Sequence, residues 1–477
     1  MPLRRARRAT ATQITVYNAC VRVLISAGEA SGEMYGAQLI DALRRQASGT
    51  TNETPVAPEL RTETHLDHEV APRNAGEGAR ATQPQIEFFG VGGEKMRAAG
   101  CDLVIDAKDL SVVGITEILG HLPKIWGLFH KLISEADRRR PDLAIVIDSP
   151  AFNWRVAREM KKRGVPVVYY VCPQFWAWRQ GRVRYLRKYV DKALVIFPFE
   201  EKFYRERGVN AEFVGHPLAE LPRPAISRAE YAAKHGLDPA KQWITLMPGS
   251  RRKEVGMNLP EMVKTAFLFG VEFEYLLPIA PTLHERFIRE MLSLHPLEAV
   301  DGERRRAGTA AAPSSHPAAP QIRIVPEALP ALVHSRAAVV ASGTATVEAA
   351  LMGTPFVMVY RVTPLTYLLG RWTVKVPHFA MVNLIAGERV VPELVQKEFT
   401  AERVVAELKE IIPERAPREK MIQGLERVST LLHGGKCATS APGKAAEIIL
   451  ELITQRSAGR QLTAPRKVPV STSASQP

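Results

Sequence analysis

Cysteine is scarce in this sequence, and its four cysteines, Cys20, Cys101, Cys172 and Cys437, are far apart along the chain. No C-x-x-C pair occurs, and no histidine cluster accompanies the cysteines at the spacing of metal ligands. A disulfide framework and a zinc site are therefore not expected. The pattern is typical of reduced thiols in a cytosolic protein.

The sequence also lacks an apolar run long enough to cross a bilayer as a helix. Near the basic N-terminus, the segment VYNACVRVLIS has some features of a signal peptide. Arg22 interrupts this segment, and VRVLISAG leads directly into a helical pattern, so a buried first strand is the preferred interpretation. Any contact with a membrane is expected to be peripheral.

Several common nucleotide motifs are missing. The chain has no G-x-x-x-x-G-K-[ST], which argues against a P-loop nucleoside triphosphatase. GVGGEKMRAAG places Lys95 where a dinucleotide fingerprint needs its third glycine, so it predicts only a tight turn between a strand and a helix. No D-x-D motif is present to hold a sugar nucleotide through a divalent metal. We therefore expect neither a metal nor an organic cofactor.

Positive charge is abundant. The net charge is +14 and the pI is about 9.6, which favours anionic partners such as nucleic acid, phospholipid headgroups or phosphorylated metabolites. The content of hydrophobic residues, 46%, is that of an ordinary globular protein. A length of 477 residues exceeds what one core usually supports, so two domains are expected.

The order of the segments predicts an α/β protein. Short runs rich in Val, Ile and Phe alternate with helical patterns and Gly-containing turns, which is typical of parallel sheets covered on both faces. The series restarts after a proline-rich break near 217–240, which predicts two Rossmann-like domains facing each other across a cleft. The predicted division is a disordered basic extension over 1–20, domains over 21–217 and 240–452, disordered insertions at 47–84 and 301–320, and a disordered tail over 457–477.

Two loops in the first half carry acidic groups. In SAGEASGEMYG, Glu29 follows a strand and Ser31 is predicted to cap the next helix. In IDSPAFN, Asp148 ends the buried strand LAIVI, where an unpaired carboxylate is costly unless it faces a cleft. Asp148 is therefore either a general base or the N-cap of a helix that begins near Phe152.

Two loops in the second half are suited to phosphate. MPGSRRKEV offers the backbone and hydroxyl donors of Gly249 and Ser250 and the guanidinium of Arg251. ASGTATVEAALMGTP places a second set of donors at the start of a helix, where anions are favoured, followed one turn later by a carboxylate suited to a ribose diol. The residues of this second loop are Ser342, Gly343, Thr344 and Glu348. Two such loops on successive strand ends favour a nucleoside diphosphate.

Two further segments combine aromatic and basic residues. VCPQFWAWRQGRVRYLRK contains Trp176, Trp178 and Arg179 just after an apolar strand. ITEILGHLPKIWGLFHKLI has an unusually wide apolar face edged by lysines, which is compatible either with core packing or with a helix at a membrane interface or an acyl-chain groove. The membrane or acyl candidates on this helix are Leu122, Ile125, Trp126 and Phe129.

Taken in order, these blocks resemble the lipid-A-disaccharide synthase family, inverting glycosyltransferases of the GT-B fold. The resemblance runs from about Val21 to about Leu452, outside the two insertions. Departures from the family pattern are Glu33, where an aspartate is common, and Ala151, where a second aspartate is frequent. The blocks that carry the resemblance are ISAGEASGEMYGAQLIDALR, FFGVGGEKMRAAGC, LSVVGITEILG, IDSPAFN, CPQFWAWRQGRV, FPFEEKFY, FVGHP, LMPGSRRKEV, ASGTATVEAAL and MVNLIAG.

The resemblance implies a hexosyltransferase that joins UDP-2,3-diacylglucosamine to 2,3-diacylglucosamine 1-phosphate and releases UDP. It implies Asp148 as the base, Arg251 as the group that stabilises the leaving diphosphate, and Asn383 of MVNLIAG as a residue that positions substrate. His216 is a weaker base candidate. The implied location is cytoplasmic, on the inner face of the cytoplasmic membrane, and the implied partners are the acylated sugars and the membrane surface rather than nucleic acid.

Two alternatives remain open at this point. One is another UDP-sugar enzyme of the same architecture, either an epimerase or a different transferase, which would not need the wide apolar helix. The other is a non-enzymatic, nucleotide-responsive membrane-binding protein, which would tolerate loss of Asp148.

Overall fold

The computed structural model describes residues 20–48, 85–110, 115–293, 319–363, 367, 376–434 and 439–463. The predicted disorder of 47–84, 301–320 and the two termini falls almost entirely outside these ranges. Where the two overlap, the first helix includes Ala47, and the last helix continues to Thr463, past the point at which the sequence predicts a tail.

The first half of the chain alternates strands with helices, as the sequence predicts. Its apolar runs form the strands because both faces of each central strand are covered; all five residues of Leu143–Ile147 are buried. The strands are β1 (Val21–Ala27), β2 (Ile86–Gly92), β3 (Cys101–Asp106), β4 (Leu143–Ile147), β5 (Val167–Tyr170), β6 (Lys192–Val195) and β7 (Ala211–Phe213). The helices are α1 (Ala30–Ala47), α2 (Glu94–Ala98), α3 (Ile115–Arg139), α4 (Pro150–Lys162), α5 (Val183–Tyr189) and α6 (Pro198–Arg205).

The second half repeats the pattern. Its strands are β8 (Gln242–Met247), β9 (Phe273–Pro278), β10 (Gln321–Val325), β11 (Ala337–Ala341), β12 (Phe356–Tyr360) and β13 (Glu393–Val395). Its helices are α7 (Arg228–His235), α8 (Arg252–Phe269), α9 (Glu285–Ser293), α10 (Ala328–His334), α11 (Thr344–Met352), α12 (Met381–Ala386), α13 (Ala401–Ile411), α14 (Ala416–Leu432) and α15 (Ala441–Thr463).

Both sheets have the strand order of a Rossmann fold. The first sheet runs β3-β2-β1-β4-β5-β6-β7 and the second β10-β9-β8-β11-β12-β13. The order reverses between β1 and β4 in the first sheet and between β8 and β11 in the second, and each of these two pairs is parallel. Ligands of open α/β sheets bind at such reversal points, outside the carboxyl ends of the strands. The fold therefore directs attention to the loops that follow β1, β4, β8 and β11.

The chain divides into two compact units. The first contains the chain up to Pro173, Lys188–Leu194 and the chain from Pro442 onward, and the second contains Gln174–Arg187 and Val195–Ala441. Within the first unit, Gln46 of α1 donates to the Gly443 carbonyl at 2.8 Å. The sequence placed the end of the second domain at 452, whereas α15 from Pro442 groups with the first unit.

Within the described ranges, no helix combines the length and the apolar composition needed to span a bilayer.

Candidate active site

The reversal point of the first sheet brings two carboxylates together. Glu29 follows β1 and is exposed, and Asp148 follows β4 and is partly buried. Burial, with the nearby negative charge of Glu29, raises the pKa of Asp148 to about 6. A carboxylate with this pKa is ionised near neutral pH and holds a proton more readily than a solvated aspartate, which suits a general base.

The alternative role of Asp148 as a helix cap is wrong. Helix α4 begins at Pro150, two residues earlier than expected, and Ser149 occupies its N-cap position without a capping bond from its side chain. The predicted cap at Ser31 is also wrong, because α1 begins at Ala30 and Glu29 occupies the N-cap position. Ser31 instead lies in the first turn of α1, where it is half-buried.

The loop after β5 contains one buried and one exposed tryptophan. Trp176 is 6% exposed, and its indole N–H donates to a carboxylate oxygen of Glu200 at 2.8 Å. Trp178 is 43% exposed, and the guanidinium of Arg179 lies 4.6 Å from the centre of its ring. Of the predicted substrate-binding residues in this loop, Trp178 and Arg179 are therefore available to a ligand, whereas Trp176 anchors the loop.

Glu200 is a residue that the sequence analysis did not select. It is fully buried in α6, and its second oxygen accepts the backbone N–H groups of Ile196 and Phe197 at 3.1 Å each. Burial raises its pKa to about 7, although these donors and Trp176 act in the opposite direction. The sequence contained one usable signal, a glutamate at the third position of the helix that begins at Pro198.

The loop after β8 holds the predicted phosphate residues. Gly249 has a φ of 126°, which lets the chain turn sharply into α8. Ser250 is exposed, and the side chain of Arg251 is 74% exposed. Glu254 lies one turn into α8 and accepts the backbone N–H groups of Ser250 and Arg251 at 3.1 and 3.3 Å. Its other oxygen accepts from the Arg251 guanidinium at 2.8 Å. An acidic side chain thus already contacts the donors that the sequence assigned to phosphate.

The loop after β11 has the predicted form of an anion site. Gly343, with a φ of 144°, is the N-cap of the nine-residue helix α11, and both Gly343 and Thr344 are exposed. Ser342 donates its hydroxyl to the Phe379 carbonyl at 2.9 Å. Glu348 lies one turn into α11, where burial raises its pKa to about 7.

Asn383 is fully buried in α12, and its amide is occupied by the protein itself. The NH2 group donates to the Val391 carbonyl and to Glu393 at 2.9 and 2.8 Å, and the amide oxygen accepts from the N–H groups of Val390 and Val391 at 2.8 and 2.9 Å. Glu393 in turn accepts the Phe379 N–H at 3.0 Å. Direct contact between Asn383 and a substrate would replace these bonds, so the geometry favours an indirect effect through the Phe379 loop.

The apolar stripe of α3 is divided between core and surface. Phe129 is 7% exposed and meets Phe152 of α4 edge to face, with ring centres 5.9 Å apart. Ile125 is partly buried, and Trp126 is 59% exposed. Phe129 is therefore a core residue in this structure. Of the candidate membrane residues whose side chains are described, Trp126 and Ile125 remain accessible. The side chain of Leu122 lies outside the described residues.

His216, the weaker candidate for the base, is buried. Its Nδ1 accepts the backbone N–H of Leu218 at 3.1 Å, and burial lowers its pKa to about 3. This histidine therefore caps a short turn, which is a local hydrogen-bonding role. Among the residues that the structure describes, no cluster of three or more His, Cys, Asp or Glu side chains could hold a metal ion.

Comparison with known proteins identifies the family. A sequence model described as lipid-A-disaccharide synthetase matches residues 76–312 and 313–449. A lipid-A-disaccharide synthase from Koribacter versatilis is 47% identical over 436 residues, which cover 91% of this chain and 100% of the relative. The corresponding protein from Acidobacterium capsulatum is 45% identical over 439 residues, covering 91% and 97% of the two chains.

Solved structures support the architecture. The glycosyltransferase of kitacinnamycin superposes with a TM-score of 0.52 at 14% identity, covering 91% of this chain and 99% of that chain. A UDP-N-acetylglucosamine 2-epimerase from Rickettsia bellii gives 0.50 at 12% identity, covering 93% and 100%. At this identity the likeness concerns the fold alone, and it confirms the predicted GT-B architecture of two Rossmann-like domains. By its sequence, this chain belongs to the lipid-A-disaccharide synthetase family.

Proposed function

We propose that the protein is a hexosyltransferase of lipid A biosynthesis. It joins UDP-2,3-diacylglucosamine to 2,3-diacylglucosamine 1-phosphate and forms tetraacyl-disaccharide 1-phosphate and UDP. Family membership supports this reaction. The structural observation that carries the proposal is the Asp148 carboxylate, placed at the reversal point of the first sheet with its pKa raised to about 6.

In this mechanism Asp148 takes the proton of the acceptor's 6-hydroxyl. The hydroxyl oxygen attacks the anomeric carbon of the donor from the face opposite the diphosphate, so that the new carbon–oxygen bond forms as the bond to the diphosphate breaks. A single displacement of this kind inverts the anomeric centre and gives a β-1,6 linkage. Because Asp148 is partly desolvated, its carboxylate is a stronger base than an exposed aspartate.

The second unit binds the UDP part of the donor. Arg251 and Ser250 contact the diphosphate, and the N-terminus of α11 at Gly343 and Thr344 adds favourable electrostatics. The carboxylate of Glu254 gives up its contacts with Ser250 and Arg251 when the diphosphate binds. The charge on the departing UDP grows in the transition state, so donors fixed in advance at this position accelerate the reaction. The Glu348 carboxylate accepts hydrogen bonds from the two ribose hydroxyls.

The acceptor binds in the first half of the chain. Trp178 and Arg179 meet its sugar and phosphate, because they are the exposed members of the loop after β5. Glu29 and Ser31 complete the acceptor side near Asp148. Asn383 acts indirectly. It donates to Glu393, which accepts the Phe379 N–H, and the Phe379 carbonyl accepts a hydrogen bond from the Ser342 hydroxyl.

The substrates carry acyl chains, so the enzyme works at a lipid surface. We place it in the cytoplasm, attached peripherally to the inner face of the cytoplasmic membrane. Trp126, with Ile125 beside it and Lys124 and Lys131 on the same helix, is suited to the interface between headgroups and acyl chains. Nucleic acid is not an expected partner.

The deciding experiment incubates the purified protein with UDP-2,3-diacylglucosamine and 2,3-diacylglucosamine 1-phosphate and identifies the products by mass spectrometry. Tetraacyl-disaccharide 1-phosphate together with UDP is the expected result. A changed UDP-sugar with no disaccharide would instead indicate an epimerase, and unchanged substrates would indicate a binding protein. The Asp148→Asn variant serves as the control for catalysis by this site.

A further inference from the structure

The backbone at the end of β4 has an unusual conformation. Asp148 and Ser149 have φ values of 46° and 45°, so two consecutive residues other than glycine lie in the left-handed region. Side chains disfavour this region, and such residues persist where the surroundings hold them in place. The loops after β8 and β11 make their sharp bends with Gly249 and Gly343 instead. At the end of β4, a glycine would allow the same backbone conformation but would supply no carboxylate.

Two buried side chains hold this bend by the backbone carbonyl of Asp148 itself. The amide nitrogen of Asn153 donates to that oxygen at 2.9 Å, and the hydroxyl of Tyr169 donates to it at 2.8 Å. Asn153 is 0% exposed and Tyr169 is 1% exposed, so neither donor has water as an alternative partner. Both lone-pair directions of the Asp148 carbonyl are therefore used by groups fixed in the core.

Asn153 is itself held in one orientation. Its two amide hydrogens are shared among three carbonyls, because the amide nitrogen also lies 2.8 Å from the Ile147 oxygen and 3.2 Å from the Ser26 oxygen. Its amide oxygen accepts a hydrogen bond from the Ser26 hydroxyl at 2.7 Å. The side chain thus links the ends of β1 and β4, the two strands at the reversal point of the sheet. A fully connected buried network of this kind is rigid, because each broken bond would leave a polar group without a partner.

The loop after β1 also lies close to the bend. A Cβ atom placed on Gly28 would lie 2.6 Å from the Ser149 hydroxyl oxygen, closer than atoms can approach without displacement. Glycine at this position therefore lets the loop after β1 approach the bend closely. The same approach brings Glu29 near enough to influence the pKa of Asp148.

We infer that Asn153 and Tyr169 are positioning residues, which hold Asp148 by its carbonyl in the left-handed conformation that aims its carboxylate at the acceptor hydroxyl. This inference rests on the proposed function of Asp148 as the base. Neither residue touches substrate, so their loss acts on turnover through the orientation of Asp148. Ground-state binding of the UDP-sugar, which uses the second unit, is left unchanged.

Tyr169→Phe is the most direct test, because it removes one hydroxyl and keeps the ring. We expect kcat to fall about 10-fold while KM for UDP-diacylglucosamine changes less than about twofold. The matched control is Tyr275→Phe in β9, since Tyr275 is also fully buried and donates to a backbone carbonyl, that of Gly270, at 2.9 Å. The two variants lose comparable hydrogen bonds, so a similar fall in melting temperature with a fall in kcat only for Tyr169→Phe supports the inference. Equal kcat values in the two variants would overturn it.

A double-mutant cycle separates positioning from general destabilisation. If Tyr169 acts through Asp148, adding Tyr169→Phe to Asp148→Asn lowers the residual rate no further. If the two effects multiply, Tyr169 does not work through Asp148 and the inference fails.

Crystal structures of Tyr169→Phe and Asn153→Ala test the same point without activity. We expect φ of Asp148 to leave the left-handed region in at least the alanine variant. An unchanged φ in both variants would refute the inference that these two side chains hold the backbone of Asp148. If Asn153→Ala does not fold, the kinetics of Tyr169→Phe and the double-mutant cycle decide. If the wild-type protein makes no disaccharide, the proposed function fails. The crystal structures then still decide whether Asn153 and Tyr169 hold the backbone of Asp148 in the left-handed conformation.

Discussion

At the scale of single residues, the proposed proton transfer depends on Asp148. Since its pKa is raised to about 6, the base form is lost as the pH falls through 6, and kcat/KM is expected to decline on that acid limb.

Asp148→Asn preserves size but cannot accept the proton, so turnover should drop roughly 10²-fold or more while UDP binding is retained. The control is Asp137→Asn, because Asp137 is an exposed carboxylate paired with Arg163. Full activity of Asp148→Asn would transfer the role of base to Glu29, the exposed carboxylate after β1.

Arg251 carries the second residue-scale prediction. Arg251→Ala removes a charge-assisted contact to the leaving diphosphate and should cost on the order of 1.5–3 kcal/mol in kcat/KM. Isothermal titration with UDP and steady-state kinetics measure the effects on binding and on turnover separately. Arg286→Ala is the matched control, because Arg286 is likewise an exposed arginine paired with a glutamate on a helix, at 3.0 Å. If the two variants behave alike, Arg251 has no place in the donor site.

At the scale of secondary-structure elements, helix α3 offers a test of the membrane contact. Trp126→Ser should reduce co-sedimentation with liposomes that contain anionic lipid and slow turnover of acylated substrates, with little change in melting temperature, because Trp126 is 59% exposed. Phe129→Ser should instead lower the melting temperature, since it leaves a cavity in the core. High salt should weaken liposome binding only in part, because the apolar contribution is not screened.

The control for α3 is Leu268→Ser on α8, an exposed apolar residue that is 47% accessible. This substitution removes an exposed apolar side chain elsewhere on the surface. If Leu268→Ser reduces liposome binding as much as Trp126→Ser does, the effect is general hydrophobicity, and the membrane contact does not lie on α3.

At the scale of the whole molecule, the sequence was sufficient to predict the α/β architecture and the places of the loops after β1, β4, β8 and β11. Alternation of buried strands with helices predicts parallel sheets, and the repeat of the series predicts two of them. Asp148 and Arg251 could be selected because each follows a strand that the pattern identifies, and residues at such ends gather at one edge of a sheet.

Contacts between distant segments could not be predicted. Periodicity places Trp126 and Phe129 on one face of α3 but does not reveal that only Phe129 packs against Phe152. The amide of Asn383 is occupied by backbone groups at Val390 and Val391, which a motif does not reveal. The sequence also cannot show that the backbone at Asp148 has a positive φ or that its carbonyl accepts hydrogen bonds from residues of both α4 and β5.

The shifted pKa values also determine how the stability of the whole molecule depends on pH. Asp148, Glu200 and Glu348 all have raised pKa values, so the folded protein holds their protons more tightly than the unfolded chain does. Each contributes stability that is fully present below the unfolded pKa, near 4, and is lost as the pH rises through the folded value. His216, whose pKa is lowered to about 3, acts in the opposite sense, because its stabilising effect is lost as the pH falls from about 6.5.

Glu348 allows one of these contributions to be measured alone. Glu348→Gln cannot ionise, so it should melt at a higher temperature than the wild type at pH 8, with the difference shrinking as the pH falls from 7 towards 4.5. A contribution of roughly 1–3 kcal/mol is expected at pH 8, enough to shift the melting temperature by a few degrees. Taking the difference between variant and wild type at each pH cancels His216, which both proteins share. Glu290→Gln, at an exposed glutamate paired with Arg286, is the matched control for the substitution itself. A constant difference for Glu348→Gln would mean that the carboxyl of Glu348 is solvated in the folded protein and holds its proton no more tightly than in the unfolded chain.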